Sequence, residues 1–220
     1  MMSFYTINSL TFSYPKSDTI LENVSFDIEK NHRVGLIGPN GCGKTTLVKL
    51  MMGILKPQAG EVYLKRSNIK AMTLSEIGRN VGFVFQNPDK QLFAPTVWEQ
   101  MSFSYKFDNS VSKNEIEEKI DYYLHIFDLL QYKKDYPFNL SLGQKQRLAL
   151  ASVLSRDVDF LIMDEPSTGL DILRLKSLEK CLLSLKREDK GYIIISHDRK
   201  FLTRHTDKLL HFKGKGVEFI

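Results

Sequence analysis

The sequence of 220 residues has few cysteines and no long apolar run. Cys42 and Cys181 are the only cysteines, which is too few for the disulfide framework of a small secreted domain. No apolar stretch approaches the ~20 residues that a transmembrane helix needs. The first residues also lack the basic and apolar segments of a signal peptide. We therefore expect a globular protein of a reducing, cytosolic compartment.

The charge balance is weakly positive, with 31 basic and 26 acidic residues and a net charge of +5. The simplest interpretation is a solvated surface, although contact with nucleic acid or anionic headgroups would also fit this sum. The sequence has no basic run interleaved with aromatic residues, which a protein that binds single strands would show. We expect no direct nucleic-acid partner.

A glycine-rich loop matches the phosphate-binding pattern G-x-x-x-x-G-K-[ST] and lies between an apolar run and a helix-like stretch. We expect nine residues to bind a nucleoside triphosphate: Gly38, Pro39, Asn40, Gly41, Cys42, Gly43, Lys44, Thr45 and Thr46. Lys44 should reach the β- and γ-phosphates, and the Thr45 hydroxyl should bind Mg²⁺. The alternative is a glycine-rich turn that happens to precede a lysine. It would not explain the complete pattern between an apolar run and a helix-like stretch.

Two carboxylates, Asp164 and Glu165, follow the apolar residues 160–163. In a parallel sheet, ligands bind at the carboxyl ends of the strands. Asp164 could hold Mg²⁺ there, and Glu165 could take a proton from an attacking water. The alternative is a pair of charges at a helix N-terminus.

Gln86 and His197 also follow apolar runs, at 82–85 and 193–195. The Gln86 amide could coordinate Mg²⁺ or position water, although alone it could be an ordinary loop residue. His197 could stabilise charge on the γ-phosphate, or it could simply lie next to a helix N-cap.

A second candidate anion site lies at Leu140-Ser141-Leu142-Gly143-Gln144, directly before a helical pattern. Ser141 is a favourable N-cap, and the amide of Gly143 would point out of the first turn.

The apolar periodicity predicts an α/β fold with a mainly parallel sheet covered by helices. Residues 4–14 and 22–29 are predicted to form antiparallel strands. The pattern from Val97 to about Leu130 indicates helix, and residues of about 87–150 look like a helical insertion.

These motifs occur in the order typical of ABC-transporter ATPase subunits, which the sequence resembles over nearly its whole length. The resemblance implies a single domain over 1–220 with a P-loop NTPase core, an antiparallel β subdomain and a helical subdomain at about 87–150. It implies that Tyr14 stacks on adenine and that Ser141, Gly143 and Gln144 serve the nucleotide of a second ATPase subunit. It further implies that Asp171 lies in a loop crossing the dimer interface and that His197 is a switch histidine.

The segment Phe85–Val97 is similar to that of energy-coupling-factor and cobalt/nickel importer ATPases. The resemblance implies ATP and Mg²⁺ as cofactors and transmembrane transporter subunits as partners. It also implies a location at the cytoplasmic face of the membrane and import of a vitamin or metal ion.

Two departures from the subgroup stand out. Leu142 replaces a usual glycine, and the sequence ends at Ile220, where many members carry a further region. We therefore expect dimerisation to rely on ATP and the membrane partner.

Two alternatives stay open at this level. One is a soluble, non-transport ABC ATPase that acts on nucleic acid or ribosomes, although the coiled-coil insertion or second ATPase unit usual in such proteins is not visible. The other, a kinase or GTPase that shares only the phosphate loop, leaves Leu140–Gln144 and His197 unexplained.

Overall fold

Strands and helices alternate along most of the chain in the computed structural model, which describes residues 3–107 and 111–220. The strands are β1 (Ser3–Ser13), β2 (Thr19–Glu29), β3 (Arg33–Ile37), β4 (Ala59–Leu64), β5 (Ser67–Asn68), β6 (Val81–Val84), β7 (Phe160–Asp164), β8 (Gly191–Ile195), β9 (Lys208–Lys213) and β10 (Gly216–Phe219). The helices are α1 (Lys44–Met51), α2 (Leu74–Asn80), α3 (Val97–Ser102), α4 (Lys113–Ile126), α5 (Leu142–Leu154), α6 (Ile172–Arg187) and α7 (Arg199–His205). No helix in the described ranges is long and apolar enough to cross a membrane.

The chain forms two compact units. The first unit comprises residues 3–82, 158–164 and 185–220 of the described chain. The second comprises residues 83–107, 111–157 and 165–184. It contains α3, α4, α5 and most of α6, and the predicted insertion at about 87–150 falls within its range.

An antiparallel sheet with the strand order β2-β1-β4-β5 lies in the first unit. Thr6 of β1 faces Asp27 of β2 on one side and Tyr63 of β4 on the other. Buried and exposed residues alternate along parts of β1 and β2, as expected for strands with one face on the core. The predicted antiparallel strands are therefore confirmed.

The second sheet has the order β10-β9-β3-β8-β7-β6 and is parallel at its centre. β3 pairs in parallel with β8 and β9, and β7 pairs in parallel with β8. β7 and β8 are buried along their full length, which explains their unbroken apolar runs. The carboxyl ends of β3, β7 and β8 therefore lie at one edge of the sheet, where the phosphate loop, Asp164 and His197 follow them.

The helical pattern from Val97 to about Leu130 is confirmed for most of its described residues, but it is divided into separate helices. α3 ends at Ser102, a 3₁₀ turn covers residues 103–107, and α4 begins only at Lys113. Residues 108–110 lie outside the described chain. A new helix starts after them because Ser112 and Glu115 form a capping box, in which each side chain bonds the backbone N–H of the other.

Candidate nucleotide site

The phosphate loop joins β3 to α1, and glycine is needed within it. Gly43 has a φ of 110°, and a Cβ atom there would lie 2.5 Å from the Ile20 side chain. As the N-cap of α1, Gly43 also leaves the first-turn amides without a side-chain acceptor. The buried Lys44 ammonium donates hydrogen bonds of 2.8 Å to the carbonyls of Gly38 and Pro39. The loop thus presents a cation and helix N-terminal amides, the combination that binds phosphate.

Thr45, in the first turn of α1, contacts Asp164 at the end of β7. The Thr45 hydroxyl donates a 2.7 Å hydrogen bond to the Asp164 carboxylate. Burial raises the pKa of Asp164, although the Thr45 hydrogen bond and the charges of Lys49, Lys44 and His197 act in the opposite direction. A hydroxyl and a carboxylate are hard oxygen ligands of the kind that Mg²⁺ prefers, so these two residues fit that ion.

Tyr14 lies beside the same helix. Its hydroxyl is 3.3 Å from the Thr46 hydroxyl, and its ring contacts Phe12 edge-to-face at a centroid distance of 5.0 Å. Tyr14 as a residue is 37% exposed, so part of it is accessible although its hydroxyl and its ring each have a contact. This arrangement suits the stacking role that the family resemblance assigns to it.

His197 is exposed and follows the buried Ser196 at the end of β8. The Ser196 hydroxyl accepts a 3.1 Å hydrogen bond from the amide of Asp198, and Asp198 in turn caps α7. These bonds fix the backbone on both sides of the histidine. The backbone of His197 is therefore fixed at the carboxyl end of β8.

Glu165 is buried and has a left-handed backbone conformation, with a φ of 52°. A glutamate in this region of φ and ψ costs of order 1–3 kcal/mol and persists only where the surrounding structure enforces it. The carbonyl of Glu165 accepts a 3.2 Å hydrogen bond from the amide of Thr168, which closes the turn that follows β7. Such strain is concentrated at functional sites, and here it falls on the predicted catalytic base.

Gln86 is exposed and follows β6 by two residues. The amide of its neighbour Phe85 donates to the side chain of Gln91 at 3.1 Å. The Gln91 side chain thus holds the backbone at Phe85, which lies after the end of β6 and just before Gln86.

Ser141 is the N-cap of α5, as predicted, and shares a capping box with Gln144. The Gln144 amide donates to the Ser141 hydroxyl at 3.3 Å, and the Ser141 amide donates to the Gln144 side chain at 2.7 Å. A Cβ atom on Gly143 would lie 3.4 Å from the carbonyl of Gly169, so the first turn of α5 lies close to the loop before α6. Leu142 is 68% exposed and leaves the capping box intact.

An arginine pair around Asp128 was not apparent from the sequence. Arg147 of α5 donates to the carbonyl of Phe127 at 2.6 Å and lies 3.4 Å from the Asp128 carboxylate. Arg174 of α6 also pairs with Asp128. The three charged residues are far apart in the sequence, so no local pattern could have indicated the contact. They hold α5 and α6 in a fixed relation within the second unit.

The first unit brings together Lys44, Thr45 and Asp164 among the predicted site residues. The other predicted residues are divided between the units: Tyr14 and His197 in the first; Gln86, Ser141, Gly143, Gln144, Glu165 and Asp171 in the second.

Comparison with protein-family models gives a match to the ABC transporter family over residues 21–168. Among the curated proteins, the chain is 38% identical over 214 residues to the energy-coupling factor transporter ATP-binding protein EcfA1 of Thermotoga maritima, a match covering 97% of this chain and 80% of that protein. It is 37% identical over 209 residues to EcfA of Methanocaldococcus jannaschii, covering 94% and 75%.

Solved structures give the same result for the fold. cbiO1 from Clostridium perfringens, part of the ABC transporter complex cbiONQ, has a TM-score of 0.80 and 28% identity, and the match covers 99% of this chain and 88% of that chain. The dimeric ATP-binding cassette MJ0796 bound to ADP and Pi has a TM-score of 0.84 and 26% identity, covering 97% and 96%.

Proposed function

The chain belongs to the ABC transporter family of ATPases, and from that premise we propose that it powers an energy-coupling-factor importer. As a family member it is an ATP-binding subunit that hydrolyses ATP. The names of its relatives and the Phe85–Val97 segment support the importer assignment. The solute, a vitamin or a metal ion in this proposal, is selected by other components of the transporter.

The bond between Thr45 and Asp164 is the observation that carries the assignment of the nucleotide site. It places a hydroxyl and a carboxylate together at the first turn of α1. We assign Thr45, Asp164 and Gln86 to Mg²⁺ and Lys44 to the β- and γ-phosphates. When bound, the ion neutralises charge on the phosphate oxygens.

Hydrolysis needs a base, a residue that positions water and a group that stabilises the γ-phosphate. Glu165 accepts the proton of the attacking water in this proposal, since this residue directly follows Asp164 at the end of β7. Gln86 orients that water, and His197 stabilises the charge that develops on the γ-phosphate. Tyr14 stacks on the adenine.

A second ATPase subunit completes the site in this proposal. Ser141, Gly143 and Gln144 lie at the N-terminus of α5, where backbone amides favour an anion, and we assign them to the nucleotide of that second subunit. Asp171 accepts a 2.9 Å hydrogen bond from the amide of Arg174, which orders the loop that we place at the dimer interface. The dimeric state of the MJ0796 cassette supports this arrangement.

An exposed aromatic pair in the second unit is our candidate surface for the membrane subunit. Phe93 is 58% exposed and contacts the half-exposed Phe103 edge-to-face at 4.7 Å. Both rings lie near Gln86 in the sequence, before and after α3. Exposed aromatic rings are common at protein interfaces, and this pair would transmit a movement of the Gln86 segment to a bound helix.

Co-purification tests the transporter assignment. The chain, expressed with the membrane proteins encoded beside its gene, should be recovered with them in detergent. A double Phe93→Ala, Phe103→Ala variant should lose that association, whereas Tyr122→Ala, which removes an equally exposed ring from α4, should keep it. If the unaltered chain never associates with these membrane proteins, the importer assignment fails.

A further inference from the structure

The side chain of Gln91 joins the segment that follows Gln86 to the middle of α5. Its Oε1 accepts a 3.1 Å hydrogen bond from the amide of Phe85. Its Nε2 donates to the carbonyl of Ala149 at 2.9 Å and to the hydroxyl of Ser152 at 3.2 Å. One side chain thus connects the residue just before Gln86 with the helix that begins at the Ser141 cap.

These bonds use both ends of the Gln91 amide. Oxygen faces an N–H group and nitrogen faces two oxygens, which fixes the orientation of the amide. The Ser152 hydroxyl donates to the carbonyl of Ala149 at 2.9 Å, so its own oxygen is available to accept from Gln91. A fully satisfied polar network of this kind enforces a single geometry.

A second glutamine anchors the other end of the segment. The buried Gln100 of α3 accepts hydrogen bonds from the amides of Phe93 and Ala94, at 2.9 and 3.2 Å. It also donates to the carbonyl of Gln91 at 3.3 Å. Residues 91–94 are therefore held from both sides, by α5 and by α3.

An ion pair adds a third link, one turn closer to the start of α5. Lys145 lies 3.0 Å from the Asp89 carboxylate, and its ammonium also lies over the ring of Phe138. The Lys145 side chain is 14% exposed and that of Asp89 is 47% exposed, so the pair is partly shielded from solvent. The contacts at Lys145, Ala149 and Ser152 follow one face of the helix.

We propose that Gln91 is a positioning residue for ATP hydrolysis, which it serves by setting the place of Gln86. The anchors hold Phe85, just before Gln86, and Gln91, after it, to α5, so the backbone is fixed on both sides of Gln86. The inference rests on the role proposed above for Gln86.

A double-mutant cycle on the full-length chain tests this proposal. The variants are Gln91→Met, which keeps the volume but loses the hydrogen bonds, Gln86→Ala, and the two combined. Misplacement of a catalytic group by about 1 Å can cost up to ~100-fold in rate, so we expect Gln91→Met to lower kcat by roughly tenfold or more. ATP affinity should stay near that of the unaltered chain, because the phosphate loop belongs to the first unit. With Gln86→Ala already present, Gln91→Met should have no further effect on kcat.

Ser112→Ala is the matched control, because it removes a cap from α4 in the same unit without touching the segment. It should lower the melting temperature while leaving kcat unchanged. If Gln91→Met does not fold, Gln91→Glu retains the acceptor for the Phe85 amide and is used in the same cycle.

Three results would overturn the proposal. The first is a Gln91 variant with unchanged kcat, and the second is a Gln91 variant that lowers kcat equally with and without Gln86→Ala. The third is a Gln91 variant that loses activity although Gln86→Ala alone loses none. The cycle needs no membrane protein, so a failure of the importer assignment would not affect its outcome.

Discussion

At the scale of single residues, the ionised carboxylate of Asp164 lowers the stability of the folded chain. Burial raises its pKa above that of an unfolded aspartate, so the folded chain binds the proton more tightly. The stability that this proton contributes is present below the unfolded pKa and is lost as pH rises through the folded pKa. At neutral pH the ionised carboxylate therefore opposes folding of the nucleotide-free chain.

Asp164→Asn should raise the melting temperature of the nucleotide-free chain at pH 7, because the amide is uncharged and can still accept the Thr45 hydrogen bond. The gain should shrink as the pH falls through the raised pKa of the folded chain, and it should disappear below ~4, the ordinary pKa of an unfolded aspartate. Thermal unfolding at several pH values measures both effects. A lower melting temperature for Asp164→Asn at pH 7 would show that the charge is stabilising instead.

The two cysteines should differ in reactivity. Cys42 is partly exposed in the phosphate loop, next to the first turn of α1, whereas burial raises the pKa of Cys181 to about 11. We expect a maleimide at pH 7 to modify Cys42 and thereby to inhibit ATP hydrolysis. Bound ATP should slow this modification. Mass spectrometry of the labelled chain and the Cys42→Ala variant check this, and inhibition that persists in Cys42→Ala would contradict it.

At the scale of elements, strands with buried runs were predictable because their sequences are continuously apolar. β3, β7 and β8 are examples, and the polar residues after them marked the site edge. α2 was missed although Thr73 and Glu76 form a capping box that the sequence shows. β9 and β10 were also missed, despite the turn signal at Gly214 between them.

The anchors of the Gln86 segment were not predictable. Gln91 and Ala149 lie 58 positions apart, and nothing in the local pattern distinguishes Gln91 from the polar residues around it. The contacts of Gln91 and Gln100 are what hold the segment in place. Tertiary hydrogen bonds of this kind follow from packing, not from periodicity.

Replacement by alanine should change the unfolding free energy in opposite directions at two glycines. Gly60 of β4 has a φ of 79°, and a Cβ atom there would lie 2.4 Å from the carbonyl oxygens of Asn8 and Ser9. Gly60→Ala should cost more than about 1 kcal/mol of unfolding free energy. Gly78→Ala, in helix α2 with open space around the new methyl, should add about 0.5–1 kcal/mol. Urea unfolding curves compare the two, and equal effects would contradict the backbone argument.

At the scale of the whole molecule, the candidate site residues are divided between two compact units. Lys44, Thr45 and Asp164 belong to the first, whereas the capping box at Ser141 belongs to the second. The family resemblance implies that Ser141, Gly143 and Gln144 of the second unit serve the nucleotide of another subunit, as proposed above. We therefore regard the phosphate loop as half of a site that a second subunit completes.

The most direct test of this account is the ATP-dependent association of Glu165→Gln. Loss of a general base slows hydrolysis by roughly 10²–10⁴-fold, while ATP binding by the phosphate loop should remain. Light scattering coupled to gel filtration should then show a stable dimer for this variant with ATP and Mg²⁺ and a monomer without nucleotide, with Lys44→Ala as the control that binds ATP poorly. A Glu165→Gln chain that hydrolyses ATP at the rate of the unaltered protein, or that stays monomeric with ATP bound, would contradict the account.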